Sequence, residues 1–447
     1  MKKLKNLFIL FLCTTLCACS STDTISDEVE KVEEEVTEIV EDIETTLDIT
    51  ALGTGESYTN SEDGGHAITS DGTNDTYDNI YVYKTGESSG DEADFYGLNA
   101  AVFATNSATL NITNSKIETD GSHANGVFSY GEGTIVNISN SYIHTSSNNS
   151  GGIMTTGGGT MNATNLIIET LGGSSAAIRS DRGGGTVNVD GGKYSSYGKG
   201  SPAIYSTADI TVSNATLYSD ISQAVVVEGG NSVTLNNVEA TGQNTYKNSD
   251  HSNYYQAVMI YQSMSGDASS GASSFTMSDG SLTSLNEGMF FVTNTIATIN
   301  LENVTLNYAS DDLLRICAAG WGSDGSNGGQ VTMNNKNQSL KGIITVDSIS
   351  TLNLYLDNSN FEGCISNDGE VYVELSNGAT WALTSDTSIT SLTCDANSIN
   401  LNGFTLTVNG ETYSESAASS GSAIEVKTTS SSNHGGSKPN GTPPDKK

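Results

Sequence analysis

Apolar and polar residues alternate in short bursts along this chain, and the same burst keeps returning. Aligned on an apolar–x–apolar–x–Asn phrase, the sequence reads LNITNSKI from Leu110, VNISNSYI from Val136, MNATNLII from Met161 and VNVDGGKY from Val187. It continues with ITVSNATL from Ile210, VTLNNVEA from Val233, FTMSDGSL from Phe275 and INLENVTL from Ile299. Drifted copies follow from Val331, Leu352 and Val371. The starts lie about 19 to 26 residues apart, with two longer steps. A second phrase sits between the copies: AVFATN from Ala101, GVFSYG from Gly126, GIMTTG from Gly152, AIRSDR from Ala177 and AIYSTA from Ala203. AVVVEG, AVMIYQ, GMFFVTN and LLRICA carry it onward. Period-2 alternation predicts β-strands, and nothing between Leu98 and Gly410 has a helical period. A unit this short cannot bury its own apolar face, so copies must stack, two or three strands to a coil. The Asn at 114, 140, 165, 214, 237 and 303 fits a turn position with left-handed backbone, and stacking it on itself predicts an amide ladder.

Composition agrees with a thin, repeated core. The chain has 447 residues, 35% of them hydrophobic, with 48 Gly and only 4 Pro. Proline is scarce where every amide must donate to a neighbouring coil. The formal charge of −34 excludes nucleic acid as a partner, because phosphates require a basic footprint.

The ends read differently. MKKLKNLFILFLCTTLCACSS begins with lysines, runs through an apolar stretch too short to span a bilayer, and ends on Leu16-Cys17-Ala18-Cys19, the features of a secretory signal. Asp27 to Asp48 carries eleven acidic residues and one lysine. It reads as an extended stalk, or as a helix capping the first coil. From Ser414 onward a Ser- and Gly-rich run leads into SKPNGTPPDKK, a flexible tail. The expected organisation is therefore 1–18 signal peptide, 19–48 acidic stalk, 49–413 β-solenoid and 414–447 tail. Cys317, Cys364 and Cys394 have no metal-ligand spacing and are expected as buried free thiols, a pairing of Cys364 with Cys394 being the alternative.

These phrases carry a resemblance. The body, about Leu98 to Gly410, resembles the right-handed parallel β-helix of the pectate-lyase-like superfamily, and within it is similar to adhesin-like bacterial surface lipoproteins; GSPAIYSTADITVSNATLYS and WGSDGSNGGQVTMNNKNQSLKG bear the likeness. The residues around Cys19 resemble a lipobox, which implies cleavage before Cys19 and lipidation there. The resemblance implies an all-β protein, a monomer held outside the cytoplasm at a cell surface by its N-terminal lipid. A fold of this kind hosts many activities, so function must be read from the site.

Alternation in the second phrase points Val102, Val127, Ile153, Ile178, Ile204, Val225, Val258, Met289 and Leu314 inward. The next residue in each copy then faces out: Phe103, Phe128, Met154, Arg179, Tyr205, Val226, Met259, Phe290 and Arg315. Two further on lies a second outward column containing Tyr130, Asp181, Glu228, Tyr261, Val292 and Cys317. Two of the chain's three arginines fall in one column, and Arg182 lies just beyond. Arginine forks grip carboxylates, and flat rings cover the apolar faces of sugars. Tyr130, Tyr205 and Tyr261 with Arg179, Asp181, Arg182 and Arg315 form a candidate polysaccharide-binding strip. Loops covering these columns would instead make them a satellite core, with Arg179 paired to Asp181. Two insertions, residues 241–256 and 317–330, bring Tyr246, His251, Tyr254, Tyr255 and Trp321 toward the strip. Non-catalytic glycan binding is the expected function. A polysaccharide lyase or glycoside hydrolase using Asp311, Asp312, Arg179 or Arg182 is the first alternative, and a structural or protein-binding adhesin the second. The oxygen-rich turns of residues 61–79 offer ligands for calcium, or are solvated acidic loops.

Overall fold

A computed structural model describes residues 47–246, 251–263 and 265–426. The signal peptide, Cys19, nearly all of the acidic stalk and the tail beyond residue 426 lie outside them. The described chain is nearly all β, wound as a parallel β-helix. A typical early coil runs Val127–Tyr130, Ile135–Ser139 and Tyr142–Thr145. The first of these strands joins a 14-stranded sheet; the other two follow end to end in a 19-stranded sheet, pairing with successive halves of Gly159–Thr170 on the next coil. From Gly329 two coils are each built of two long strands, Gly329–Lys336 with Ser339–Val346 and then Thr351–Asp357 with Asn360–Asn367. Helix among the described residues is confined to Asp91–Phe95.

The recurring asparagine makes the bend within the larger sheet. Asn114, Asn140, Asn165, Asn214, Asn237 and Asn303 all have φ between 47° and 56°. That left-handed backbone is strained for most residues but open to asparagine. Asp279 and Gly191 occupy the same place on their own coils, with φ of 58° and 72°. The side chains stack as expected: Asn165 Nδ2 donates to Asn140 Oδ1 at 3.0 Å, and Asn237 Nδ2 to Asn214 Oδ1 at 3.0 Å. A second, outward ladder runs beside it through Asn111, Asn137, Asn162 and Asn188, each link 2.9 Å. The polar side chains thus satisfy one another from coil to coil, as the backbone does.

Inward positions of both sheets merge into one continuous apolar core from Ile68 to Tyr413. In the smaller sheet the parallel register aligns Val102, Val127, Ile153, Ile178, Ile204, Val225 and Val258 on its core side. The next rung differs from the sequence expectation. Val258 pairs with Phe290, and Met259 with Phe291. Phe290 and Val292 therefore face the core, and Phe291 faces out. An alignment displaced by one residue exchanges the two faces of a strand.

Cys317, Cys364 and Cys394 are buried and unpaired. At the C-terminal end, Leu406–Val408 turns back antiparallel on Glu411–Thr412, closing a sheet edge that would otherwise be open. Composition places a flexible tail from Ser414, but the chain continues against the body: Ser419 bridges Cys394, and Ile424 exchanges backbone hydrogen bonds with the Asn353 amide.

Candidate functional site

The outward columns of the smaller sheet fall into three stretches. In the first, Phe103, Phe128, Tyr130 and Met154 pack with Ala100 and Tyr96 into a small core of their own. The segment carrying Asp91–Phe95 lies over them, and Thr156 Oγ1 donates to Phe95 O at 2.6 Å. Gly97, at φ 83°, approaches so closely that a Cβ would stand 2.3 Å from the Phe103 ring. Tyr130 is only 5% exposed, 6.4 Å from Phe103 and 5.8 Å edge-on to Tyr96. Its ring fills a covered core.

The second stretch holds the charges. Arg179 pairs with Asp181 at 3.0 Å. Arg182 pairs with Asp91 at 2.7 Å and Asp267 at 2.8 Å, and its guanidinium lies 3.7 Å over the Phe95 ring. Burial pushes the Asp181 carboxyl up to about 7; Arg179 pulls it down, while Asp267 and Glu228 add to the rise. Glu228 is fully buried, and its carboxyl is also raised, first by burial. It accepts hydrogen bonds from the hydroxyls of Tyr205 and Tyr261. Burial, followed by the Glu228 charge, holds both phenols protonated.

Those two tyrosines lead into the third stretch, an open cleft of about 200 Å³. Val226 and Met259 form its base, in one cluster with Phe291 and Cys317, and Tyr205, Tyr261 and Trp321 pack against that cluster. The two insertions make its walls and are tied together where Gly320 N donates to His251 O at 2.7 Å. Trp321 stands 5.0 Å edge-on to Tyr261 and 5.2 Å from His251. Asn327 Nδ2 holds the Trp321 loop by donating to Ala319 O and Trp321 O. Tyr246 and Tyr254, 53% and 39% exposed, stand at the rim. Tyr254 packs 5.2 Å from Phe291 and covers Arg315, whose guanidinium lies 4.5 Å from the ring and pairs with Asp312 at 2.9 Å.

The structure thus brings Tyr205, Tyr261, Trp321, Tyr246, His251 and Tyr254 together. Tyr130 and the pairs of Arg179, Asp181 and Arg182 lie outside the cleft lining, as does Tyr255. Asp312 is engaged by Arg315. Sequence reasoning missed Asn244 and Gln256. Both line the cleft, are 4% and 3% exposed, and carry side-chain carbonyl oxygens without a hydrogen-bond partner among the described residues. They lie within the first insertion, near its two ends, where no repeat marks them. Glu228 had a visible signal, an acid ending a run of valines in AVVVEG.

A larger concavity, about 430 Å³, lies on the outer face of the 19-stranded sheet beside Asn300, Asn334 and Tyr355. Its polar groups already serve one another, Asn334 donating to Asn300 at 2.8 Å and Lys336 to Glu302 at 2.6 Å. Among the described residues, no group of three or more His, Cys, Asp or Glu side chains is placed to hold a metal ion. In residues 61–79, Asp75 accepts from Ser70 and Thr73, and Asp78 from Thr113 and Asn114. Compared with known proteins, the chain matches no family model, no curated protein and no solved structure.

Proposed function

We propose that this chain is a non-catalytic glycan-binding protein of the bacterial cell surface, held to the membrane through lipid at Cys19. In this reading the body is a right-handed β-helix of the pectate-lyase-like kind, acting as an adhesin-like support for the cleft. One observation carries the proposal: an open aromatic cleft whose polar lining includes buried amide oxygens without partners. Rings stack on the apolar faces of sugars, while amides exchange hydrogen bonds with hydroxyls. Concave sites with apolar walls and a few convergent polar groups are where small ligands bind. The test is retention of the mature chain, carrying Cys19→Ser for solubility, on a panel of immobilised polysaccharides with calcium or chelator, while the supernatant is assayed for released oligosaccharides. Retention without release is expected; failure on every glycan sends the search to protein partners.

A second reading, glycan cleavage, draws on Asp181 and Glu228, two carboxyls whose raised pKa values suit general acid chemistry. Against it, neither carboxyl is among the residues lining the cleft, and a glycosidic oxygen must come within hydrogen-bond reach of the acid. Release of oligosaccharide that Asp181→Asn abolishes would replace binding with catalysis.

A further inference from the structure

We infer that the cleft takes a single uncharged sugar ring, as a chain end or side branch, and discriminates against uronic acids. This rests on the glycan reading above and adds its ligand class. Four observations lead to it.

First, among the described residues no lysine, arginine, aspartate or glutamate lines the cleft. Second, the arginines that would make a carboxylate welcome are already committed: Arg179 to Asp181, Arg182 to Asp91 and Asp267, and Arg315 to Asp312 beneath Tyr254. A ligand carboxylate would have to displace an existing partner to gain one.

Third, the unpartnered groups ask for donors. Asn244 Nδ2 points to Gln256 O at 3.5 Å, which leaves Asn244 Oδ1 and Gln256 Oε1 as the unsatisfied atoms. A hydroxyl can donate to such an oxygen, whereas an ionised carboxylate only accepts. A uronate keeps its ring hydroxyls as donors, but where the neutral sugar offers its primary hydroxyl the uronate presents a carboxylate that cannot donate to these oxygens, and it brings a charge toward Glu228, which lies under the hydroxyls of Tyr205 and Tyr261. The chain's formal charge of −34 adds to that repulsion.

Fourth, the space is small. Sites for drug-sized ligands run to roughly 300–1,000 Å³, and this one is about 200 Å³. One ring fits against Trp321 and Tyr261, and the polymer behind it would leave past Tyr246 and Tyr254 at the rim.

The chain supplies its own reporter. It has two tryptophans: Trp381 is fully buried and bonded to Gly363 O, while Trp321 stands at the cleft. The mature chain carrying Cys19→Ser would be titrated by tryptophan fluorescence with matched methyl glycosides: glucose and glucuronate, galactose and galacturonate, and glucosamine. The corresponding neutral and uronic oligomers would follow, all at low and high salt. The expected result is a saturable change with a neutral sugar, at least ten-fold weaker binding of its uronate, and a narrowing of that gap at high salt. Tyr246→Ala, at an exposed rim position, is expected to weaken the neutral sugar severalfold while leaving the melting temperature in place. A uronate that binds as tightly as its neutral partner overturns the inference and leaves the glycan reading standing. Binding of the amine alone also overturns it, because attraction to Glu228 would then be carrying the ligand. No response to any sugar or oligomer, with the fold intact by circular dichroism, overturns the glycan reading itself.

Discussion

Two stretches of the outward face of the smaller sheet use the same residue types and come to opposite ends. Phe103, Phe128, Met154 and Tyr130 are sealed under the segment carrying Asp91–Phe95, whereas Tyr205, Tyr261 and Trp321 face an opening. The strands beneath both are alike: parallel, in register and backed by the same aliphatic core. What differs is the insertion. On one side a five-residue helix and the Gly97 turn close down until no Cβ fits. On the other, two insertions meet at Gly320 and His251 and stand apart over Tyr205 and Tyr261. Outward aromatic residues on a solenoid therefore do not define a binding face; the loops that cover or frame them do. Between the two lies a charged seam in which both arginines are neutralised, separating the sealed half from the open one.

The largest effect that can test this contrast is on stability. Phe128 is fully buried in the sealed half, so Phe128→Ala is expected to cost about 3–5 kcal/mol, the usual range for a buried phenylalanine. Trp321→Ala, at the half-open cleft, is expected to cost roughly 1 kcal/mol and yet abolish glycan retention. Chemical denaturation and pull-down on the same two variants separate the halves. Similar losses of stability at both positions would show that the cleft is as much a core as the sealed half.

Next in size is the seam. The Asp181 carboxyl stands near 3.8 in the unfolded chain and about 7 in the folded one. Between those values the folded state holds a proton that the unfolded state has lost, so stability must fall as pH rises across the window. The contribution is fully present below about pH 4 and gone above about pH 7. Melting temperatures of the wild type against Asp181→Asn across that range are the check: the variant should lack this part of the slope. Identical slopes would mean that Arg179 keeps Asp181 ionised throughout and that the seam is an ordinary ion pair.

Much of this architecture was legible in the chain because a solenoid writes its packing into a period. The asparagine at each bend recurs since left-handed backbone must recur there, and its amide ladder follows from stacking. Errors in aligning copies had unequal consequences. Val331 was aligned with Ile299, whereas Met333 is its partner; a slip of two leaves the same face inward. The slip of one at Met289 and Phe290 exchanged the faces. The cleft was only partly legible. The insertions pointed to it, and Tyr246, His251, Tyr254 and Trp321 do converge there. The covering of Tyr130 was not readable, because residues 91–97 precede the repeats and carry no period. Asn244 and Gln256 were hidden for the same reason: their importance lies in unmet hydrogen bonds, which are properties of three-dimensional packing.

The smallest expected effect is the most selective. Tyr246 is 53% exposed at the cleft rim, so removing its ring costs little burial, and Tyr246→Ala should melt within a degree or two of the wild type. Ring contacts of this sort contribute about 0.5–1.5 kcal/mol beyond area, which corresponds to a loss of roughly two- to twelve-fold in affinity. A control lies on the other sheet, where Tyr83 stacks 6.3 Å from Tyr81 on an outward face with no part in the cleft. Tyr83→Ala removes an equivalent ring and should leave glycan affinity unchanged. If both variants weaken binding equally, the surface as a whole is sticky and the cleft has no special claim. If only Tyr246→Ala does so, a ring that contributes almost nothing to the fold is contributing to recognition. That is the property separating the open stretch of the smaller sheet's outward face from the sealed one.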